Sequence, residues 1–326
     1  MQAKLLLATL LYFASAAYAG CGTSFCTVNT HWDTQGRVND NGLRIDLRYS
    51  YSKADTPRFG SSRVSNDPAL AGLNEEVENL RTINQTLNLD IDYAINQRFS
   101  VLFGLPLIRR DHAHTSADGV GGGTVKQGSF SQLGDMRVVG NYKFKSGDHD
   151  SGSGIRLGLK LPTGSTDWEF QPGVAGERSL QPGSGSTDAI LGTYYHQDLS
   201  DSPWGWFTNG QLQAALNTKA DYRSGNEIAL DIGAHYDISP TLAGLLQLNA
   251  QFKERDSGLN ANPHSGGRSL NFSPGISFWM APETKLYGYL QLPLYQYAYP
   301  DPDPAVTSGQ LTALWSLTLG ISHSYD

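Results

Sequence analysis

Apolar and polar side chains alternate along most of this chain. In residues 311–325, for example, Leu317, Leu319 and Ile321 share one parity, whereas Thr318 and Ser322 have the other. Successive side chains of an extended strand point to opposite faces, so this period of two predicts a strand with one apolar and one polar face. The same pattern predicts strands at 43–52, 82–95, 99–108, 134–145, 154–161, 188–199, 204–217, 227–238, 242–253, 270–280, 285–295 and 311–325.

The connections between these segments alternate between short and long. Short ones occupy 96–98, 146–153, 200–203, 239–240 and 281–283, and long ones occupy 53–80, 111–131, 163–187, 219–226, 255–269 and 298–310. Outer-membrane barrels place short turns in the periplasm and long loops outside the cell, whereas a soluble sandwich has no reason to sort its loops. We therefore predict an all-β fold, an up-and-down antiparallel transmembrane β-barrel of about 12 strands. The last strand should pair with the first.

Aromatic residues of the apolar parity fall at two levels of this topology. One group lies near the short turns and a smaller group lies near the long loops, with aliphatic residues between them. Two aromatic girdles of this kind mark the two interfaces of a membrane barrel. The first group is Tyr93, Phe99, Tyr142, Phe144, Trp204, Trp206, Tyr236, Phe278 and Tyr325, and the second is Tyr49, Tyr51 and Phe252.

The N-terminus predicts export. Residues 1–19 resemble a secretory signal peptide, because Lys4 precedes an apolar run that ends in Ala17-Tyr18-Ala19. We predict that residues 20–41 form a periplasmic N-terminal segment and that residues 42–326 form the transmembrane barrel. The protein should therefore reside in the bacterial outer membrane as a multi-pass β-barrel.

Two cysteines lie in the periplasmic segment. In an oxidising compartment Cys21 and Cys26 predict a short-loop disulfide. Two alternatives remain open. Cys21 could be acylated, as in a lipoprotein, or the two thiolates and His31 could bind a soft metal ion.

The composition limits the classes of partner that the protein is expected to bind. The chain has 36 glycines, 16 tyrosines and a formal net charge of −7. That charge argues against a nucleic-acid partner, because nucleic-acid binding depends on neutralising phosphates. The expected partners are the outer-membrane lipid bilayer, a small-molecule solute and the barrel-assembly machinery. The chain has no catalytic motif such as Gly-x-Ser-x-Gly or His-Glu-x-x-His. We therefore expect no enzyme activity, no catalytic residue, no metal site and no cofactor.

Three sequence blocks carry a family resemblance. They are LGDMRVVGNYKF at 133–144, GIRLGLKLPTG at 154–164 and PGSGSTDAILG at 182–192. In order and spacing they resemble the outer-membrane family of MetA-pathway phenol-degradation proteins, from about residue 80 to the C-terminus. The resemblance implies a porin-like barrel that passes small, often aromatic, compounds, and it implies no catalytic residue. The chain departs from the family pattern in its Cys21 to Cys26 segment and in ending on Tyr325-Asp326.

The polar parity of the strands should line the lumen. It carries many charges, which could form ion pairs that fill a narrow barrel or could provide a polar pathway for a solute. Three tyrosines on the eleventh strand, Tyr287, Tyr289 and Tyr295, suit an aromatic or sugar-like solute, or fill space in a tapering lumen. The predicted lumen-lining residues are Arg44, Asp46, Arg48, Asp90, Asp92, Asp135, Arg137, Lys143, Arg156, Lys160, Asp231, His235, Tyr287 and Tyr289; Tyr194, Phe207, Trp279 and Tyr295 share their parity.

Four prolines lie inside the strand patterns, all toward the long-loop end. They are Pro106, Pro162, Pro274 and Pro293. Proline cannot donate a ladder hydrogen bond, so the pairing should end or bulge near each of them. These places mark only where pairing stops above the bilayer, or they leave a lateral gap through which an apolar solute could leave the lumen into lipid.

Together these observations predict an outer-membrane channel for the passive passage of small, aromatic or hydrophobic solutes. The alternative is a non-conducting barrel that docks a periplasmic, redox-active partner through residues 20–41.

Overall fold

The computed structural model describes residues 42–64, 78–117, 123–144, 150–262, 265–302 and 309–325. The predicted signal peptide, the segment 20–41 and the Cys21–Cys26 disulfide lie outside these residues. Among the described residues, no helix has the length and apolar character needed to cross a membrane.

Twelve long antiparallel strands form the fold, and the fourth of them is interrupted at residues 134–135. We number them β1 Gly42–Phe59, β2 Glu78–Ala94, β3 Phe99–Ala117, β4 Gly123–Leu133 with Met136–Lys143, β5 Ser151–Leu161, β6 Asp188–Asp198, β7 Trp204–Ala215, β8 Glu227–Ser239, β9 Leu242–Lys253, β10 Gly267–Ala281, β11 Thr284–Ala298 and β12 Gln310–Tyr325. Short strands at Ser62–Arg63, Glu169–Gln171 and Val174–Ala175 and a 3-10 turn at Arg178–Leu180 lie in the connections.

Each strand pairs with its neighbours in sequence, and the last pairs with the first. The closing seam runs from Leu43 opposite Tyr325, through Ser52 opposite Ser316, to Arg58 opposite Gln310. This closure confirms the predicted 12-strand barrel. It also confirms that residues 311–325 form the closing strand.

The two faces of the barrel wall differ in polarity. On β8, Ile228, Leu230 and Ile232 are exposed on the outside, while Asp231 and His235 are buried. The other strands repeat this arrangement, and exposed aromatic side chains such as Tyr93, Phe99, Trp204, Phe278 and Tyr325 lie beside the short turns. An apolar outer band between aromatic girdles matches the hydrocarbon layer of a bilayer.

The strands extend further than the sequence predicts on the long-loop side. Residues 111–131 were expected to form a loop, but β3 and β4 continue as a hairpin up to Ala117 opposite Gly123. Likewise β1 continues to Phe59. These extensions lack the apolar parity that identifies a membrane strand, because they lie beyond the apolar band. Their pairing satisfies the hydrogen-bonding groups of the backbone, although neither face of these extensions contacts lipid.

Strand pairing ends or is interrupted at or beside each of the four prolines. Pro106 faces the break in β4, where the Gly134 amide donates to the Pro106 carbonyl at 2.8 Å. Pro162 directly follows the last residue of β5. Pairing between β11 and β12 ends at Gln291 opposite Ser316, two residues before Pro293. Pro274 keeps its register opposite Leu246 on β9, but the β10–β11 pairing skips it, passing from Phe272 opposite Leu292 to Gly275 opposite Tyr289.

Parity changes near the long-loop ends of β11 and β12 overturn two expectations. Tyr295 was expected inside, but it is exposed and its neighbour Gln296 is buried. Leu311 and Ala313 were expected to face lipid, but both are buried. Irregular register in this region shifts the alternation by one residue, a shift that a strict period of two does not anticipate.

The position of the bilayer can be tested with two matched substitutions on β8. Ile232→Arg lies mid-strand and Ile238→Arg lies beside the short turn, and the two isoleucines are 53% and 56% exposed. We expect a loss of about 2–4 kcal/mol in unfolding free energy for Ile232→Arg, and about 0–1 kcal/mol for Ile238→Arg, because the cost of a lipid-facing cation depends on its depth. Urea unfolding in liposomes measures both. Equal losses would contradict the placement.

Candidate functional site: the barrel interior and its capping loop

The structure places the predicted inner-face residues at different depths. Arg48 and Lys143 are partly exposed, and Arg137 is exposed although it lies opposite the buried Lys160. Cross-strand partners share a face, so Arg137 also lies on the inner side. The others are buried: Arg44, Asp46, Asp90, Asp92, Asp135, Arg156, Lys160, Asp231, His235, Tyr287 and Tyr289.

Charges of opposite sign pair across β1 and β2. Arg44 donates to Asp92 at 2.6 Å, and Arg48 donates to Asp90 at 3.1 Å. From β11, the Tyr287 hydroxyl contacts both carboxylate oxygens of Asp46, at 2.8 and 2.9 Å. Because each charge has a partner, this part of the interior avoids the cost of an isolated buried ion.

A second polar group lies across β7, β8 and β9. Asp231 accepts hydrogen bonds from Asn209 at 2.9 Å and from Asn249 at 2.5 Å. Arg156 donates to Asn209 at 3.3 Å, and its guanidinium lies 5.2 Å from the centroid of the Tyr194 ring. Hydrogen bonds between side chains therefore link different strands on the inner face of the wall.

A third group, the Asp135 cluster, joins the barrel wall to the β5–β6 loop, residues 162–187. Asp135 accepts from the Gly164 amide at 3.0 Å and from the amide and hydroxyl of Ser184 at 2.9 Å each. Lys160 lies 3.2 Å from Asp135 and 2.9 Å from Asp188. The cluster therefore fixes both ends of the loop to the wall.

Glycines allow this loop to approach so closely. A Cβ on Gly164 would lie 2.7 Å from the Gly183 Cα, and a Cβ on Gly183 would lie 2.7 Å from an Asp135 carboxylate oxygen. Real Cβ atoms do not approach other atoms this closely. Only glycine therefore permits the contact at these two positions.

The middle of the loop lies across the long-loop end of the barrel. The Phe170 ring stacks on His114 of β3 at 4.4 Å between centroids, and Arg110 donates to the Ser179 carbonyl at 3.3 Å. On the other side, Asn262 donates to Glu177 at 3.1 Å. The Arg178 guanidinium lies 5.0 Å from the centroid of the Tyr222 ring. The loop thus bridges β3 to the loops that follow β7 and β9.

Burial raises the pKa of Glu177 in this loop to about 7, from an ordinary value of 4.5. Hydrogen bonds with Ser179 and Asn262 oppose the rise, and the nearby Asp256 carboxylate adds to it. The closed loop therefore favours the neutral carboxyl group.

Aromatic rings on the inner face lie directly opposite glycines. Tyr194 is opposite Gly154, Phe207 is opposite Gly233, and the pairs Tyr287–Gly320 and Tyr289–Gly275 repeat the arrangement. A Cβ on any of these glycines would overlap the facing ring. The missing side chain lets each ring lie against the neighbouring strand, so the rings cover the wall.

Sequence reasoning missed several inner-face residues. Lys285 is 3% exposed, and its ammonium group lies 5.2 Å from the centroid of the Trp279 ring. It is two residues before Tyr287, so the same parity could have identified it. Asp188 was missed because it lies at the start of β6. Among the described residues, no group of three His, Cys, Asp or Glu side chains is arranged to hold a metal ion.

A family model described as "Putative MetA-pathway of phenol degradation" matches residues 79–298. The chain belongs to this family. The structure is similar to the COG4313 outer membrane channel from Pseudomonas putida F1, with a TM-score of 0.65 and 15% identity over 92% of this chain and 100% of that chain. This likeness shows the barrel fold.

Two toluene transporters are also similar in structure. TodX of P. putida has a TM-score of 0.46 and 8% identity, over 88% of this chain and 91% of that chain. TbuX of Ralstonia pickettii has a TM-score of 0.44 and 8% identity, over 90% and 91%. A comparison with curated protein sequences gives no match. With its apolar outer band and aromatic girdles, this member of the phenol-degradation family is a β-barrel of the bacterial outer membrane.

The three sequence blocks that resemble the phenol-degradation family meet in the Asp135 cluster. The first contributes Asp135, the second Lys160 and Gly164, and the third Gly183 and Ser184. The blocks are distant in sequence, but each supplies a group that holds the β5–β6 loop. The blocks that carry the family resemblance therefore contain the residues that attach this loop to the barrel wall.

Asp135→Asn should loosen the loop. The amide group would direct donors at the amides of Gly164 or Ser184, and a lost buried hydrogen bond of this kind costs about 1–3 kcal/mol. We expect faster tryptic cleavage at Arg178 in the folded barrel. Asp167→Asn is the control, because Asp167 is exposed in the same loop and, among the described residues, is hydrogen-bonded only to nearby Ser165. Equal cleavage rates in the two variants would contradict the role of Asp135.

The loop should also respond to pH through Glu177. Its pKa is about 7 in the closed loop and about 4.5 when exposed, so the closed loop binds the proton more tightly. Glu177 therefore stabilises closure fully below about pH 4.5, and this contribution is lost as the pH rises through about 7. We expect cleavage at Arg178 by a protease active at both pH values to be faster at pH 8 than at pH 5. Glu177→Gln should remove most of this difference, and an unchanged difference in that variant would contradict the assignment.

Proposed function

We propose that this protein is a passive outer-membrane channel for small hydrophobic or aromatic solutes. The observation that carries the proposal is the set of inner-face rings that lie opposite glycines, Tyr194, Phe207, Tyr287 and Tyr289. Aromatic faces bind apolar and aromatic molecules without demanding a specific hydrogen-bond pattern. Membership of the phenol-degradation family supports the same solute class.

The arrangement of rings favours passage over simple space filling. A ring opposite a bulky residue would stand away from the wall, toward the axis of the barrel. Opposite a glycine it lies along the wall, so it takes less of the centre of the barrel. Leu245 packs with Tyr287 and Tyr289 to make this part of the wall continuous.

The paired charges on the inner face indicate which solutes the channel would select. Arg44, Arg48 and Lys160 are each neutralised by a nearby carboxylate. Where its charges are paired in this way, the lumen offers no strong site at which an ion or a charged solute would be held. The channel would therefore select for uncharged solutes through its rings and exclude large polar solutes through its capping loop.

Uptake of an uncharged aromatic probe tests the proposal. N-phenylnaphthylamine is excluded by an intact lipopolysaccharide leaflet and fluoresces in lipid, so we expect faster fluorescence gain in cells that produce the protein. A folded barrel, verified by heat-modifiable migration, that leaves uptake at the level of non-producing cells would contradict the proposal. That result would favour the non-conducting barrel that docks a periplasmic partner.

Gly320→Ala tests the role of the rings. The new Cβ would overlap the Tyr287 ring, which must then leave the wall and lose its hydrogen bonds to Asp46. We expect slower probe uptake. Gly210→Ala is the matched control, because its Cβ would meet nothing closer than Leu230 at 3.4 Å. Equal uptake by the two folded variants would show that the rings do not line the route.

A further inference from the structure

The seam between β11 and β12 is incomplete on the long-loop side. Their pairing runs from Thr284 opposite His323 to Gln291 opposite Ser316 and ends there. β11 nevertheless continues to Ala298, and β12 begins six residues earlier, at Gln310. Both strands lie wholly within the described residues, so residues 292–297 and 310–315 face each other without a ladder.

The gap is bounded above and below. Below it lies the last pair, Gln291 and Ser316, whose side chains are hydrogen-bonded at 2.9 Å. Above it, the backbones of Gly60 and Ala298 exchange two hydrogen bonds of 3.0 Å, so the end of β1 joins β11 over the start of β12. The opening is therefore a window in the wall and not a frayed end.

Sequence explains why the ladder stops here. Pro293 has no amide hydrogen to donate, and the register between β10 and β11 shifts beside it. On the other strand, Leu314 and Trp315 are exposed in succession, and the β1–β12 register shifts beside them. Irregularities on both sides carry the two strands apart.

Side chains tie the two strands across the window. At its upper end, Gln310 donates to the Tyr299 carbonyl at 2.8 Å, just beyond the end of β11. Gln296 donates from its amide nitrogen to the Ala313 carbonyl at 3.0 Å, and its amide oxygen accepts from Arg58 Nε at 3.1 Å. A side-chain tie of this kind can open by a change of rotamer, whereas a backbone ladder cannot.

The rim of the window is apolar. Leu292, Leu294, Leu314 and Trp315 are all exposed on the outside, and the Trp315 ring lies 5.5 Å from that of Tyr51, in the outer aromatic girdle. Lipid cannot satisfy backbone groups, so a break in pairing at this level persists only where it is covered by protein or lines a route. In this structure Gln310, Leu311, Thr312 and Ala313 are buried, so the window is closed.

A second seam offers a contrast. β1 and β2 also separate, above Ala54 opposite Thr82. That opening begins above the level of Ser52, which is opposite Ser316, and is flanked by the ion pairs Lys53–Asp55 and Arg81–Asp111. A charged rim suits water and lipid headgroups, so the β11–β12 window is the one that faces an apolar environment.

We propose that the β11–β12 window is a lateral portal through which small uncharged aromatic or apolar solutes pass between the lumen and the outer leaflet, with Gln296 as its latch. The proposal rests on the proposed channel function and adds the route. Charged and strongly hydrated solutes would not use the portal, because its rim offers them no polar replacement for water.

Cross-linking across the window tests the portal. In a Cys21→Ser/Cys26→Ser background, Gln296→Cys/Ala313→Cys is bridged with dibromobimane, whose fluorescence reports the extent of bridging. The control pair is Leu290→Cys/Leu317→Cys, which lies opposite in the paired part of the same two strands. We expect bridging at the window to reduce N-phenylnaphthylamine uptake to the level of non-producing cells, and bridging at the control pair to leave uptake unchanged.

The outcomes separate the portal from the channel. If the unbridged protein does not speed uptake, the channel function fails and the portal fails with it. If the unbridged protein speeds uptake and complete bridging at the window leaves it unchanged, the portal alone is overturned. An equal reduction by both bridges also overturns it, because the effect would then come from general stiffening of the barrel.

A second variant opens the window without a cross-link. Gln296→Ala removes the latch, and we expect faster probe uptake with unchanged ion conductance in planar bilayers. Gln251→Ala, a buried glutamine on the inner face of β9, is the control. Slower or unchanged uptake in folded Gln296→Ala protein would contradict the role of Gln296.

Discussion

The requirement that every backbone amide and carbonyl be satisfied inside the chain governs this structure. In the hydrocarbon layer no water is available, so only a closed ladder of strands can cross it. The twelve strands meet this requirement by pairing in sequence and closing β12 on β1. Alternation follows from the closure, because each strand then has one face toward lipid and one toward the interior. Where the ladder is broken, another feature of the structure takes the place of backbone pairing between strands.

Two of the breaks on the long-loop side differ in how they are filled. At residues 134–135 the gap in β4 is filled by the β5–β6 loop, whose Gly164 and Ser184 bond to Asp135. Between β11 and β12 the Gln296 side chain spans the opening, and Gln310 ties its upper end to the Tyr299 carbonyl. The first break thus attaches the cap of the barrel, and the second leaves a portal in its wall. With the function and the portal proposed above, the wall and its cap would form a channel whose solute enters beneath the loop and leaves sideways.

The sequence predicted most of the membrane-spanning part. Strand number, closure and the sorting of turns and loops follow from a period of two, because lipid imposes that period on every strand. Above the bilayer the constraint is absent, so the hairpin of β3 and β4 beyond Asp111 reads as a loop although it is paired. The same limit explains Tyr295 and Leu311, since a bulge of one residue reverses all the positions that follow it.

The interior was less predictable than the wall. Parity indicates which charges lie inside, but not that Asp135 bonds to a loop or that Tyr287 bonds to Asp46, because these contacts join residues that are distant in sequence. The pairing of rings with glycines likewise depends on register, which hydrophobic alternation sets only to within two residues. The residues of the Asp135 cluster are nevertheless visible in the sequence, because they lie in the three blocks that suggested the family.

The most direct test of the account is to map where an aromatic solute contacts the folded protein in its native membrane. A photoactivatable phenyl diazirine, with toluene as competitor, can be cross-linked and located by mass spectrometry. The account predicts labels that toluene removes on inner-face residues of β6, β7 and β11, including Tyr194, Phe207 and Tyr289, and on Leu292 or Leu294 at the window. Labels confined to the lipid-facing residues of all strands, with none inside, would contradict it.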